Sequence, residues 1–157
     1  MSHSRIDLFK QHPATVQAMM ALENQLKAGT LPIQLKELVK MRVSQINACA
    51  FCIDMHAAVA RNHGVTDRSL HLLAAWREAG LFDARERAAL AWAEALTRLS
   101  ATEGVPDDLY AAVQAQFSEA EIVELTLAVV AINGWNRFQI ALRAPLPESA
   151  AAAAGQR

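Results

Sequence analysis

The segment from Ser118 to Arg143 constrains the fold of this chain more than any other. Ser118-Glu119-Ala120-Glu121 reads as a capping box, in which a serine oxygen and a glutamate carboxylate satisfy free amides at a helix start. The helix it opens is predicted to run to about Arg143. From Ile122 to Ile132 it is apolar on nearly every side, so it must be buried all round, at the centre of the fold or against another subunit. The longest apolar stretch, around Leu125 to Ile132, is flanked by Glu121, Glu124 and Arg137 and is too short to span a bilayer.

A chain of 157 residues can surround such a helix within one domain and still build a hydrophobic core. Apolar residues make up 53% and charged residues 20%, as in a folded globular protein. Fifteen basic residues face sixteen acidic ones, so bulk charge gives no support for binding nucleic acid or membrane. The start, Met-Ser-His-Ser-Arg, lacks the apolar core of a signal peptide, and a cytoplasmic location is expected.

The remaining periodicity is helical as well. No run alternates apolar and polar residues as a half-buried strand does, and an all-α bundle of about six to seven helices is expected. The first helix should start at Pro13 and stop at Gly29. The second should span about Pro32 to Asn47, with Leu35, Leu38, Val39, Val43 and Ile46 as its apolar stripe. A third carries the cysteines and ends at Gly64. A fourth runs from Thr66 or Asp67 to about Trp76. A fifth is capped by Asp83 and Glu86, with a stripe from Ala88 through Trp92 to Leu99. A sixth starts near Pro106. The domain is expected to cover residues 1–144, with a flexible tail from Pro145 that includes the alanine run Ala150 to Ala154.

Cys49 and Cys52 are the only cysteines, and His56 follows one turn later. Residues three and four apart share a helix face, so these side chains form one stripe. The two cysteines fall in a first helical turn, where unpaired amides favour a thiolate over a thiol. Three readings are open. The pair could be small apolar residues in a core. It could join His56 in a three-ligand or subunit-shared zinc site, since a closed site needs a fourth ligand. It could be a redox dithiol, close enough to form a disulfide. In a reducing compartment a close pair is more often catalytic or metal-binding than structural. Covalent haem attachment needs His directly after the second Cys, where Ile53 stands, and a thioredoxin fold needs a strand before the motif.

Glu37 is the candidate that orients His56. On one straight rod Glu37 lies about 18 Å from Cys49, out of reach. If the chain reverses near Asn47 and Ala48, counting places Glu37 and His56 opposite each other in an antiparallel hairpin. A carboxylate on one imidazole nitrogen fixes the tautomer and raises the basicity of the other. The competing local reading pairs Glu37 with Lys40, three positions on. His63 reads as a helix-end residue, Asp54 as solvated, and Trp76, Trp92 and Trp135 as core or interface residues.

The segment Glu37-x11-Cys49-x2-Cys52-x3-His56 resembles the signature of the AhpD-like alkylhydroperoxidases of the carboxymuconolactone decarboxylase superfamily. "WREAGLFDARERAALAWAEALT", from Trp76, and "INGWNRFQIALR", from Ile132, look like later helices of that group, so the resemblance covers about residues 15–143. It implies an all-helical fold with the cysteine motif at the start of a central helix, assembled as a homo-oligomer, a trimer or hexamer. It also implies hydroperoxide reduction through a Cys49–Cys52 dithiol–disulfide cycle, with Glu37 and His56 as proton relay and no cofactor beyond that disulfide. On this reading Cys49, nearer the helix start and more exposed, attacks the peroxide and Cys52 resolves, although proximity to His56 favours the reverse. An external dithiol, lipoyl-bearing or thioredoxin-like, then reduces the protein. The better-studied relatives carry a second His just before the second Cys, where this chain has Phe51. Relatives that decarboxylate lactones generally lack the Cys pair. A non-catalytic redox sensor or dithiol adaptor, and a metal-binding protein using Cys49, Cys52 and His56, are the alternatives.

Overall fold

The computed structural model describes residues 4–99 and 104–146. Among them are eight helices and one 3-10 turn: α1 (Leu8–Gln11), α2 (Pro13–Lys27), α3 (Ile33–Ile46), α4 (Ala50–Asn62), α5 (Asp67–Leu72), the 3-10 turn Leu73–Ala75, α6 (Ala84–Thr97), α7 (Asp107–Gln114) and α8 (Glu119–Leu142). The all-α expectation holds, with one helix more than the sequence suggested. The expected tail from Pro145 onward lies, from residue 147, outside the described residues.

The caps account for most boundaries. Pro13 opens α2, where its missing N–H costs nothing. Asp83 and Glu86 form a reciprocal capping box on α6, as do Ser118 and Glu121 on α8. The Thr66 hydroxyl accepts from the Ser69 N–H at the head of α5. Gly64, at φ +87°, takes the left-handed position that ends α4. The additional helix α1 is only four residues long, too short to show a period. Asp7 caps it by accepting from the Lys10 N–H.

Helix α3 is the centre of the packing, touching α4, α6 and α8. Val39 and Val43 are fully buried on it, and Leu35 nearly so. The main core places them with Trp92, Val113, Leu125 and Ile132. A second core lies beneath Trp76 and takes Leu38 and Met41 from another side of α3, with Leu70, Leu73 and Leu90. Helix α3 therefore buries more than one stripe, and even Lys36, Glu37 and Lys40 are buried.

Within one chain helix α8 is not covered on every side, so the first of the two expected arrangements, burial at the centre of the fold, does not hold. Ile122, Leu125, Val129 and Ile132 are buried, but Val123 is 65% and Val130 55% exposed. Helices α2, α3 and α6 pack against it, and the other side of a 24-residue helix is left without cover in one chain. The α6 stripe also ends early, because the helix stops at Thr97 and leaves Leu99 exposed.

Two glutamates tie distant segments together. Glu124 on α8 accepts from the Thr30 and Leu31 N–H groups and from Lys36 Nζ, so it closes the α2–α3 loop. A side chain at Gly29 would overlap its carboxylate, which explains the glycine. Glu94 on α6 accepts from Arg42 Nε at 2.6 Å, Trp76 Nε1 at 3.0 Å and an Arg77 guanidinium N–H at 2.5 Å. It locks α3 and the segment after the 3-10 turn onto α6.

Candidate active site

The chain reverses between α3 and α4 through a Schellman turn. Ala48 holds the left-handed position, at φ +56°, where glycine is usual. The Cys49 N–H donates to the Ser44 carbonyl and the Ala48 N–H to the Gln45 carbonyl. Side chains reinforce the turn from α8. Asn47 Nδ2 donates to Asn133 Oδ1 and Asn136 Oδ1, both at 2.9 Å, and Asn136 Nδ2 donates to Ser44 Oγ at 3.1 Å. Asn136 and Ser44 are fully buried, so these bonds satisfy polar groups that water cannot reach.

Cys49 is the N-cap residue of α4 and Cys52 lies in its first turn. They are joined as a disulfide, with Cα atoms 5.4 Å apart, inside the range such a bond needs. His56 follows one turn on, and the reversal sets Glu37 against it. Glu37 Oε2 and His56 Nδ1 are 2.7 Å apart, and both side chains are buried. Lys40 does not compete for Glu37, because its Nζ bonds Glu23 Oε2 on α2 at 2.8 Å.

With Nδ1–H donating to the carboxylate, His56 Nε2 is the basic nitrogen. Nε2 has no hydrogen-bond partner among the described residues. No buried side-chain nitrogen or oxygen among them lacks one, so Nε2 is open to the cavity beside it. That cavity, of about 630 Å3, is bordered by Glu37, Cys52 and His56. Phe51 lines it where the resembled signature has a histidine, and it supplies an apolar wall with no proton to exchange.

Cys49 does not match its expected exposure. Both cysteines are 1% exposed, and only Cys52 borders the cavity. The helix start turns Cys49 inward, into the core with Val43 and Trp92. Among the described residues no three His, Cys, Asp or Glu side chains converge as metal ligands.

Several cavity residues carried no signal in the sequence. His63 ends α4 as expected but also lines the cavity, because it lies seven residues, two turns, past His56 on the same face. Phe9 comes from α1, and Trp135 and Gln139 from α8. Lys36 borders the cavity as well, bonded to the Leu26 carbonyl at 2.7 Å and to Glu124 at 3.1 Å. Burial pushes the Glu124 carboxyl upward. The Leu31 and Thr30 amides and Lys36 outweigh it and hold the group below the usual glutamate range. Lys36 therefore faces a charged partner at neutral pH.

The model of the carboxymuconolactone decarboxylase family matches residues 13–95, just over half of the chain. The chain belongs to this family, and its fold is AhpD-like. It is 39% identical over 138 residues to the uncharacterized protein YdfG of Bacillus subtilis, covering 88% of this chain and 93% of that one. The crystal structure of ATU0492 from Agrobacterium tumefaciens superimposes with a TM-score of 0.89 at 39% identity. The match covers 94% of this chain and all of that one, a protein of unknown function described as a candidate AhpD antioxidant defence protein. The debrominase Bmp8 shares the fold at a TM-score of 0.78 and 19% identity, over 91% of this chain and 76% of its own.

Proposed function

We propose that the protein is a thiol-dependent hydroperoxide reductase that cycles Cys49 and Cys52 between dithiol and disulfide. The observation that carries this reading is the shared wall of one cavity. There Cys52 and His56 stand together, with His56 fixed from behind by Glu37 at 2.7 Å. A core cysteine pair has no need of a cavity or of an oriented base.

In the dithiol form, His56 Nε2 takes the Cys52 proton, and the Glu37 carboxylate stabilises the imidazolium. The Cys52 thiolate attacks the terminal oxygen of R–O–OH. The O–O bond breaks, Cys52 becomes a sulfenic acid, and the alkoxide leaves with the proton from His56 as an alcohol. Cys49 attacks the sulfenic sulfur, forms the Cys49–Cys52 bond and releases water. An external dithiol, lipoyl-bearing or thioredoxin-like, reduces the disulfide by exchange and is itself oxidised to a disulfide. Access to the cavity supports attack by Cys52 and resolution by Cys49, the reverse of the order that helix position suggests.

Steady-state turnover of an organic hydroperoxide with a regenerating dithiol tests the reading. The wild type should turn over, and Cys49→Ser and Cys52→Ser should each lose turnover while keeping the helical circular dichroism spectrum. Full activity in either variant overturns the dithiol cycle. A disulfide that forms with peroxide once and is not turned over identifies a sensor instead.

A further inference from the structure

The cavity in front of Cys52 is much larger than a peroxide bond requires, and part of its wall is aromatic. We propose that it selects hydroperoxides carrying a flat aromatic ring, with Phe9 and Trp135 as the specificity-determining surface. The proposal rests on the hydroperoxide reading above and names its substrate class.

The rings of Phe9 and Trp135 lie parallel, 3° apart in plane, with centroids 6.1 Å apart. Both line the cavity, so each offers part of its surface to an occupant. The Trp135 ring is held by its own hydrogen bond. Trp135 Nε1 donates to Glu23 Oε1 at 3.2 Å, and the other oxygen of Glu23 is held by Lys40. The segment carrying Phe9 is pinned to the end of α8, where the Arg5 N–H donates to the Leu142 carbonyl and the Arg5 guanidinium to the Ala141 carbonyl. Met20 and Met55 line the same space, and thioether sulfur makes favourable contacts with ring edges.

The buried charges of the cavity are already paired. Lys36 is neutralised by Glu124 and Lys40 by Glu23, and Glu37 faces His56. A charged tail reaching these groups would have to displace one of the pairs, whereas the exposed Lys27, which lines the same cavity with no ion-pair partner among the described residues, leaves an anionic tail a place to pair. A volume of about 630 Å3 is in the usual range for small-molecule sites, so size alone admits aliphatic and aromatic substrates alike. The ring-to-ring contact separates them, because it adds to what area burial alone provides.

The test uses the full-length oxidised protein and the product-type alcohols, so no turnover is needed. The probes are 2-phenyl-2-propanol and 2-cyclohexyl-2-propanol, matched in size and differing in flatness, each titrated by NMR. The phenyl alcohol should bind roughly threefold to tenfold more tightly, as expected for added aromatic contacts. Phe9→Leu, at a residue more than half exposed, and Trp135→Leu should each bring the ratio close to one. Should Trp135→Leu fail to fold, Phe9→Leu decides alone. Equal binding of the two alcohols by the wild type, or a ratio unchanged in the folded variants, overturns the proposal. Ring preference without peroxide turnover keeps the aromatic surface and removes the peroxidase reading. Turnover without ring preference does the opposite.

Discussion

Glu37 is buried and has one hydrogen-bonding partner among the described residues, His56. A buried carboxylate without a partner costs several kcal/mol, so its pairing with His56 rather than Lys40 decides what it is for. Glu37→Gln keeps an acceptor for the His56 N–H but removes the charge that stabilises an imidazolium. We expect kcat/KM for hydroperoxide to fall by about 100-fold at neutral pH, the usual scale of assisted proton transfer, with thermal unfolding little changed. Unchanged kinetics would leave Glu37 a structural residue. The pair Cys52 and His56 was legible because one helix and its 3.6-residue period contain both, whereas Cys49, the N-cap residue, turns into the core. Glu37 was reachable only by placing the reversal at Asn47 and Ala48 and counting outward. Lys40 was not legible. The nearest-neighbour rule pairs it with Glu37, whereas tertiary packing brings Glu23 of α2 to it.

At the level of elements, α6 is held to α3 and to the segment after the 3-10 turn through Glu94. Burial pushes the Glu94 carboxyl upward, and hydrogen bonds from Trp76, Arg77 and Arg42 outweigh it, so its pKa lies below the ordinary 4.5. A depressed folded pKa stabilises the fold above the unfolded value, and the contribution is lost as pH falls through the folded one. Stability should therefore drop below pH 4.5 with a component that Glu94→Gln removes, at a cost of about 3 kcal/mol at pH 7 for leaving Arg42 without its charge partner. Chemical denaturation at pH 7 and at acid pH measures both. An acid limb equally steep in the variant contradicts the assignment.

The helix boundaries were mostly legible because caps are local: Pro13, Thr66, Asp83 and Ser118 each mark a start within a few residues. Helix α1 was not legible, since four residues show no period. Phe9 went unnoticed with it, and with Phe9 the aromatic side of the cavity. Trp135 and Gln139 are as remote from Cys52 in sequence as α8 is from α4, and no spacing rule joins them.

Across the whole molecule, the sequence argued that α8 needs cover on every side, and a single chain leaves Val123 and Val130 exposed. The trimer or hexamer implied by the family resemblance would offer such cover. Native mass spectrometry should then find three or six copies, and Val130→Asp should reduce that number. A monomer at micromolar concentration contradicts the assembly. No helix among the described residues is long and apolar enough to cross a membrane.

On the proposed mechanism Cys52 meets the peroxide and Cys49 resolves it. Trapping with a sulfenic-acid reagent after one equivalent of organic hydroperoxide, read by intact and peptide mass, tests it directly. We expect labelled Cys52 in Cys49→Ser, no label at Cys49 in Cys52→Ser, and in the reduced wild type the loss of two hydrogens, reversed by dithiol. Rapid labelling of Cys49 with Cys52 replaced, or a wild-type mass that peroxide leaves unchanged, would contradict it.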